Sequence, residues 1–239
     1  MLELLAPAGS MEALRAAVQN GADAVYLGCG AFNARQSAKN FTPQTLVEAI
    51  KYCHVRGVQV HLTLNTLVSD REMTEAAELI RYAAQNNIDA FIVQDLGVVQ
   101  LCRQIAPGVP IHGSTQMTVH SLPGVLLCAA MGIKRVVLSR ELSREEIRYI
   151  CANSPIEIEV FVHGALCMAY SGRFTVDVIG TSSHAATPHL GGDAITGADG
   201  GLGRPCKGLF PAGVSRRTES SFVCISRSAA RKWAIRFPI

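Results

Sequence analysis

Short apolar and β-branched runs alternate along this chain with stretches whose apolar positions recur every three to four residues. Residues 2–6, 24–27, 58–64, 90–94, 111–114, 135–139 and 157–162 are the strand-like runs. The intervening segments carry helix start signals. Ser10 precedes a stretch that places Ala13, Leu14, Ala17 and Val18 on one face. Thr42-Pro43 opens a second helix with an N-cap and a proline at the first helical position. Ser69 or Asp70 opens a third, with Met73, Ala76, Ala77 and Ile80 inward. Ser143 opens another, its first turn carrying Glu145 and Glu146, which suit the helix dipole. Strand starts recur roughly every 20–34 residues, the rhythm of βα units on a parallel sheet. About seven such units fit, so the fold class is α/β: a TIM-like (β/α) barrel, incomplete or irregular. An eighth strand has to come from the C-terminal tail or be missing.

Barrel sites gather at the C-terminal ends of the strands. There the sequence sets Asn65 after the third run and Gln94 with Asp95 after the fourth. Ser114, Thr115 and Gln116 follow the fifth, Arg140 and Glu141 the sixth, and His163 with Gly164 the seventh. So many hydrogen-bonding groups on one rim read as a small-molecule site; solvated loops alone would also be polar. The strand–helix turn Ala6-Pro7-Ala8-Gly9-Ser10 could meet an anion, but it lacks GxGxxG and a Walker lysine. The glycine-rich run 197–203 reads as loop. Neither a GxSxG elbow nor HExxH is present. His163, four residues before Cys167, could form a Cys–His pair or part of a metal site, although such proximity is more often structural.

Composition narrows the class. Of 239 residues 49% are hydrophobic and 17% charged, a core-rich balance that excludes a disordered chain. Mean hydropathy is +0.23, yet no stretch reads as a membrane span. The N-terminus has no basic region ahead of its short apolar run, which argues against a signal peptide and for a cytoplasmic protein. In that compartment the eight cysteines are thiols or metal ligands; Cys29, Cys53, Cys102, Cys128 and Cys151, each alone in an apolar segment, read as small buried hydrophobes.

One segment is diagnostic. Glu159-Val-Phe-Val-His-Gly-Ala-Leu-Cys-Met-Ala-Tyr-Ser-Gly172 resembles the pattern E-x-F-x-x-G-A-L-C-x4-G-x-C of the collagenase-like peptidase U32 family. Glu3-Leu-Leu-Ala-Pro-Ala-Gly9, Gly21-Ala-Asp-Ala-Val-Tyr-Leu-Gly28 and Val136-Val-Leu-Ser-Arg-Glu-Leu-Ser143 resemble further blocks of it, in order. The resemblance covers residues 1–173. It implies an irregular α/β barrel and oxygen-independent hydroxylation, since family members act on tRNA, rRNA or the ubiquinone precursor ring. It further implies prephenate as a co-substrate and a [4Fe–4S] cluster with Cys167 as a ligand. Catalytic roles would fall to His163, Arg140 and Glu141, and substrate binding to Asn65, Gln94, Ser114 and Gln116. RNA is then the partner. The alternatives are a peptidase using Cys167 with His163, and a non-catalytic subunit bound to a paired family member.

The resemblance departs at the pattern's second cysteine, where Phe174 stands; Cys206 is a faint echo of a later ligand, and Cys224 has no matching context. An intact four-cysteine cluster is therefore not expected. Hydrophobic periodicity also fades here. Residues 1–173 hold 14 basic and 15 acidic side chains, whereas 174–239 hold 8 and 4. Residues 174–239 read as a divergent, poorly ordered basic tail. A reading frame that shifts and ends early explains this better than true divergence, so the chain is expected to be truncated and of doubtful activity.

Overall fold

The computed structural model describes residues 2–34, 40–163 and the backbone of 223–227. These lie in one compact unit, Met1–Arg173 with Ser221–Ile239; a second unit, Phe174–Ser220, falls outside the described residues. All seven expected strands form: β1 (Leu2–Pro7), β2 (Ala24–Gly28), β3 (Gln59–Leu64), β4 (Ala90–Val93), β5 (Ile111–Gly113), β6 (Arg135–Val137) and β7 (Glu157–His163). They pair in sequence order and in parallel. An eighth strand, β8 (Val223–Arg227), comes from the tail and runs antiparallel to both β7 and β1, closing the barrel. The irregularity anticipated from seven βα units is thus an antiparallel closing strand.

Helices α1 (Met11–Gln19), α2 (Pro43–His54) and α6 (Arg144–Asn153) start where their caps predict. Ser10 accepts from the Ala13 amide at 3.2 Å. Thr42 with Thr45, and Ser143 with Glu146, form reciprocal capping boxes. The hydrogen bonds from Ser143 lower the Glu146 pKa. Helix α3 (Met73–Gln85) begins later than Ser69 or Asp70, with Glu72 as its N-cap. Ser69 instead donates its amide and hydroxyl to the Glu72 carboxylate, so the local hydrogen bonds fix a turn before the helix. Two helices not singled out in the sequence, α4 (Leu96–Ile105) and α5 (Leu122–Ala130), are capped by Asp95 and Ser121. Asp95, expected at the rim, spends its carboxylate on the amides of Gly97 and Val98.

Strand alternation divides the side chains into two environments. Val25, Leu27, Val60, Leu62, Phe91, Val93, Val136 and Leu138 join the main core cluster, together with Leu14, Leu46, Ile80, Val98 and Ile150 of the helices. Cys29, Cys53, Cys102 and Cys128 are buried in the same cluster, as their apolar context predicts, while Cys151 is half-buried. Burial pushes the Cys29 and Cys53 thiols up to about 11 and Cys102 to about 12.

The opposite faces meet inside the barrel, where the residues are unusually polar. Arg135 on β6 reaches Glu3 on β1, past β7 and β8, at 2.6 and 3.0 Å, so this pair crosses the lumen. The guanidinium also holds Glu157 at 2.6 Å and lies 3.6 Å from Glu159. Burial alone would lower the Arg135 pKa, but the hydrogen bond and charge of Glu3, with Glu159 and Glu157, raise it. In the same lumen, His61 on β3 and His112 on β5, the latter in register with Arg135, meet edge to face with ring centroids 4.9 Å apart. Burial, then the Arg135 charge, lowers the His61 pKa to about 4; burial, His61 and Arg135 hold His112 well below its usual value.

Unfolded imidazoles take up protons as pH falls through about 6.5, while folded His61 stays neutral until about pH 4. Stability should therefore decline across that window by a few kcal/mol on the order expected for buried neutral histidines, and His61→Asn should flatten the decline in urea titrations at successive pH values. Arg135→Leu should cost about 3–5 kcal/mol in the same assay, because it strands buried Glu159 and half-buried Glu3 and Glu157.

Candidate active site at the barrel mouth

The C-terminal ends of the strands enclose a cavity of about 280 Å³. Ile92, Val137, Thr63 and Glu159 line it from within the strands, together with the aromatic residues Tyr26 and Phe161. Asn65, Ser114, Thr115 and Gln116 line it from β3 and β5, Arg140 from the β6 end, and Asn33 and Asn40 from the segment after β2.

Several of these polar groups are placed by identifiable local constraints. The segment after β2 is pinned at both ends by a bridge between Cys29 and Phe41, with the Phe41 amide donating to the Gly28 carbonyl at 3.0 Å. Buried Phe32 and Phe41 anchor it in the core. Between these anchors Asn33 is buried beside Gly28, where a Cβ would stand 2.5 Å from the Asn33 Cγ; only glycine leaves that space. The Asn33 amide donates to the Gly30 carbonyl at 3.1 Å. Asn65 accepts from the Ala34 amide at 3.0 Å, tying the same segment to β3. After β5, the Ser114 amide donates to the Val93 carbonyl at 2.8 Å, and its hydroxyl accepts from the Gln116 amide at 3.2 Å. This winds Thr115–Met117 into a 3₁₀ turn that ends on Thr118 at φ 57°, a costly left-handed conformation for a β-branched residue. The Thr115 hydroxyl is buried with no hydrogen-bond partner among the described residues, which leaves it available to a ligand. The Arg140 guanidinium lies 5.7 Å from the centre of the Phe161 ring.

Four of the residues chosen from the sequence, Asn65, Ser114, Gln116 and Arg140, converge on this cavity. Gln94, half-buried at the β4 end, and exposed Glu141 and His163 are not among its lining residues. Gln94 is passed over because β4 ends at Val93 and the chain turns at once into the Asp95 cap; His163 sits a full pleat beyond Phe161, past an irregularity in the β7–β8 register. Cys167, Phe174 and Cys206 lie outside the described residues, as does the pairing of His163 with Cys167. The sequence reading missed Glu159, Asn33, Asn40, Thr63 and Tyr26. Glu159 and Thr63 sit inside strands rather than at their ends. The signal for the asparagines was the long gap between β2 and the Thr42 cap.

Seven parallel strands closed by an antiparallel eighth, with a polar, partly aromatic cavity at the C-terminal strand ends, define the class of fold: an irregular α/β barrel. The model of "Peptidase family U32" matches residues 9–185, and the chain belongs to that family. It is 39% identical over 171 residues to tRNA hydroxylation protein P1 of Bacillus subtilis, covering 72% of this chain and 40% of that protein. It is 38% identical over 186 residues to the 23S rRNA 5-hydroxycytidine C2501 synthase of Escherichia coli, covering 78% and 27%. A collagenase of Porphyromonas gingivalis is 36% identical over 183 residues, covering 72% and 44%. The chain thus spans less than half the length of these curated relatives. Among solved structures, the U32 peptidase Mk0906 superposes with a TM-score of 0.53 at 14% identity, covering 64% of this chain and 66% of that one, a likeness of fold.

Asn65→Ala should free the Ala34 amide and speed its hydrogen exchange, at a stability cost of about 1 kcal/mol. Gly28→Ala should displace Asn33 and shift the amide resonances of the 30–34 segment, with the barrel still folded by circular dichroism.

Proposed function

We propose that this chain carries the substrate-binding barrel of an oxygen-independent RNA hydroxylase acting on tRNA or rRNA. The observation that carries the reading is the amide-rich cavity: Asn33, Asn40, Asn65 and Gln116 surround a space bounded by Tyr26 and Phe161. Primary amides offer a donor and an acceptor side by side, the complement of a nucleobase edge, and aromatic rings provide a stacking surface. A volume near 280 Å³ suits one unstacked pyrimidine nucleoside rather than an extended peptide. The relatives named for tRNA and rRNA hydroxylation support the same substrate class.

Within this reading Arg140 meets an anionic group at the cavity rim, Asn65, Ser114 and Gln116 orient the base, and Gln94, Glu141 and His163 contribute from just outside. A carboxylate co-substrate of the prephenate kind would share the Arg140 charge. The described residues do not fit an iron–sulfur cluster. No group of three or more potential ligands occurs among them, and their core cysteines Cys29, Cys53 and Cys102 have thiols raised by burial. Cluster binding would therefore fall to Cys167 and residues beyond it.

The test is expression of the full chain in a bacterium deleted for its own U32 RNA hydroxylation proteins, followed by mass spectrometry of digested tRNA and rRNA. Hydroxylated nucleosides should reappear, and Arg140→Ala should reduce them at least tenfold. Absence of any hydroxylated nucleoside from soluble protein sinks the proposal. Cleavage of gelatin lost in Cys167→Ala and indifferent to iron would establish the peptidase in its place.

A further inference from the structure

The turn that follows β5 is fixed at both ends. At its start the Ser114 amide donates to the Val93 carbonyl at 2.8 Å, which ties it to the end of β4. At its finish the Ser139 amide, just past β6, donates to the Val119 carbonyl at 2.9 Å. Between these ties the Met117 amide donates to the Ser114 carbonyl at 2.9 Å and the Thr118 amide to the Thr115 carbonyl at 3.1 Å. Met117 packs so closely on Gly113 that a Cβ there would stand 3.1 Å from its sulfur. These contacts hold Thr118 at φ 57°, a backbone conformation that a β-branched residue keeps only where its surroundings impose it. Among so many satisfied groups the Thr115 hydroxyl is the exception. It is buried, it belongs to a residue that lines the cavity, and it has no hydrogen-bond partner among the described residues. Leaving a buried hydroxyl unpaired costs stability. A strained, rigid turn that leaves such a hydroxyl on a cavity-lining residue fits a site completed by its ligand.

We propose that Thr115 is a substrate-contacting residue whose hydroxyl makes its missing hydrogen bond to the pyrimidine base seated in the cavity. This inference rests on the nucleobase-binding reading of the same cavity and deepens it. A hydroxyl is donor and acceptor at once, and its proton rotates to suit the group it meets. Cytosine and uracil share a ring carbonyl that can accept from it. Where they differ, an amine on one and a second carbonyl on the other, the same hydroxyl can accept or donate. Thr115 therefore adds affinity for the base without choosing between the two pyrimidines. The gain comes from what the free protein lacks. The hydroxyl is already desolvated and its turn already rigid, so the ligand supplies an absent bond and no existing one has to break.

Titration calorimetry on the full chain with cytidine 5′-monophosphate and uridine 5′-monophosphate, paired with thermal melts of the ligand-free protein, tests the inference. Thr115→Val keeps the branched shape and removes the hydroxyl. It should weaken both nucleotides about tenfold and to the same degree, while the melting temperature holds or rises because an unpaired buried hydroxyl is gone. Thr115→Ser, which restores the hydroxyl, should bind both within about threefold of the wild type. If the valine variant does not fold by circular dichroism, Thr115→Ala against Thr115→Ser decides, and equal affinity of that pair overturns the inference. It is also overturned by undiminished binding to the valine variant, by a folded valine variant that melts several degrees lower, or by a wild-type chain that binds neither nucleotide. The RNA hydroxylase reading fails separately. Hydroxyl-dependent nucleotide binding without any hydroxylated nucleoside in cellular RNA would defeat that reading alone. Cellular RNA hydroxylated equally by wild type and Thr115→Val would defeat this one alone.

Discussion

A guanidinium inside a barrel is tenable only when its charge is answered on every side, and Arg135 is the point on which this lumen depends. Its partners arrive from β1 and from two positions on β7, so a single side chain ties together strands that are not adjacent in the sheet. Among the described residues Leu5, Ala24, Tyr26 and Phe161 form a small apolar cluster separate from the main core. The larger apolar mass lies between sheet and helices. The inner layer is thereby released from supplying most of the hydrophobic stabilisation, which permits neutral histidines and acidic groups where many barrels carry aliphatic side chains.

The same arrangement connects the base of the barrel to its mouth. Glu159 belongs to both: it lies 3.6 Å from Arg135 and is one of the residues that line the cavity. Around it the polar groups are fixed by short-range constraints of different kinds, a glycine that makes room for Asn33, an asparagine that accepts a loop amide, and a 3₁₀ turn closed on a left-handed threonine. None of these side chains needs to reorganise to present a hydrogen-bonding atom to a ligand, which is the condition for selective recognition in a small cavity.

Much of this architecture was legible in the sequence, for reasons that also mark the limit. The seven parallel strands were readable because their outward faces are continuously apolar, and α1, α2 and α6 because Ser10, Thr42 and Ser143 cap them with side chains of unmistakable chemistry. Helix α5 escaped because nearly every residue in it is apolar or small, so it has no polar face to set a period. Asn65, Ser114, Gln116 and Arg140 could be found from their places just past the strand ends. Glu159 could not be found that way, since a polar residue within a strand ordinarily signals a solvated face. In a barrel the inward face is enclosed, as the burial of Glu159 and its 3.6 Å distance from Arg135 show, and the sequence signal for it was its place at the head of the diagnostic segment. Likewise Asp95 looked like a rim group because position alone does not distinguish a ligand-facing carboxylate from a helix cap.

Strand β8 gives the fold a particular temporal order. Each parallel neighbour pair is joined by a short local crossover, but β8 is separated from its β7 partner by 59 intervening residues and meets β1 from the far end of the chain. Closing a connection of that length costs roughly 3–4 kcal/mol of chain entropy, against a few tenths more for each modest lengthening. Pairing that depends on such distant segments is slow. The seven-stranded sheet can therefore assemble first, with β1 and β7 as open edges, and only then gain its seam. Until that moment those edges are templates for any strand that reaches them, including one from another molecule.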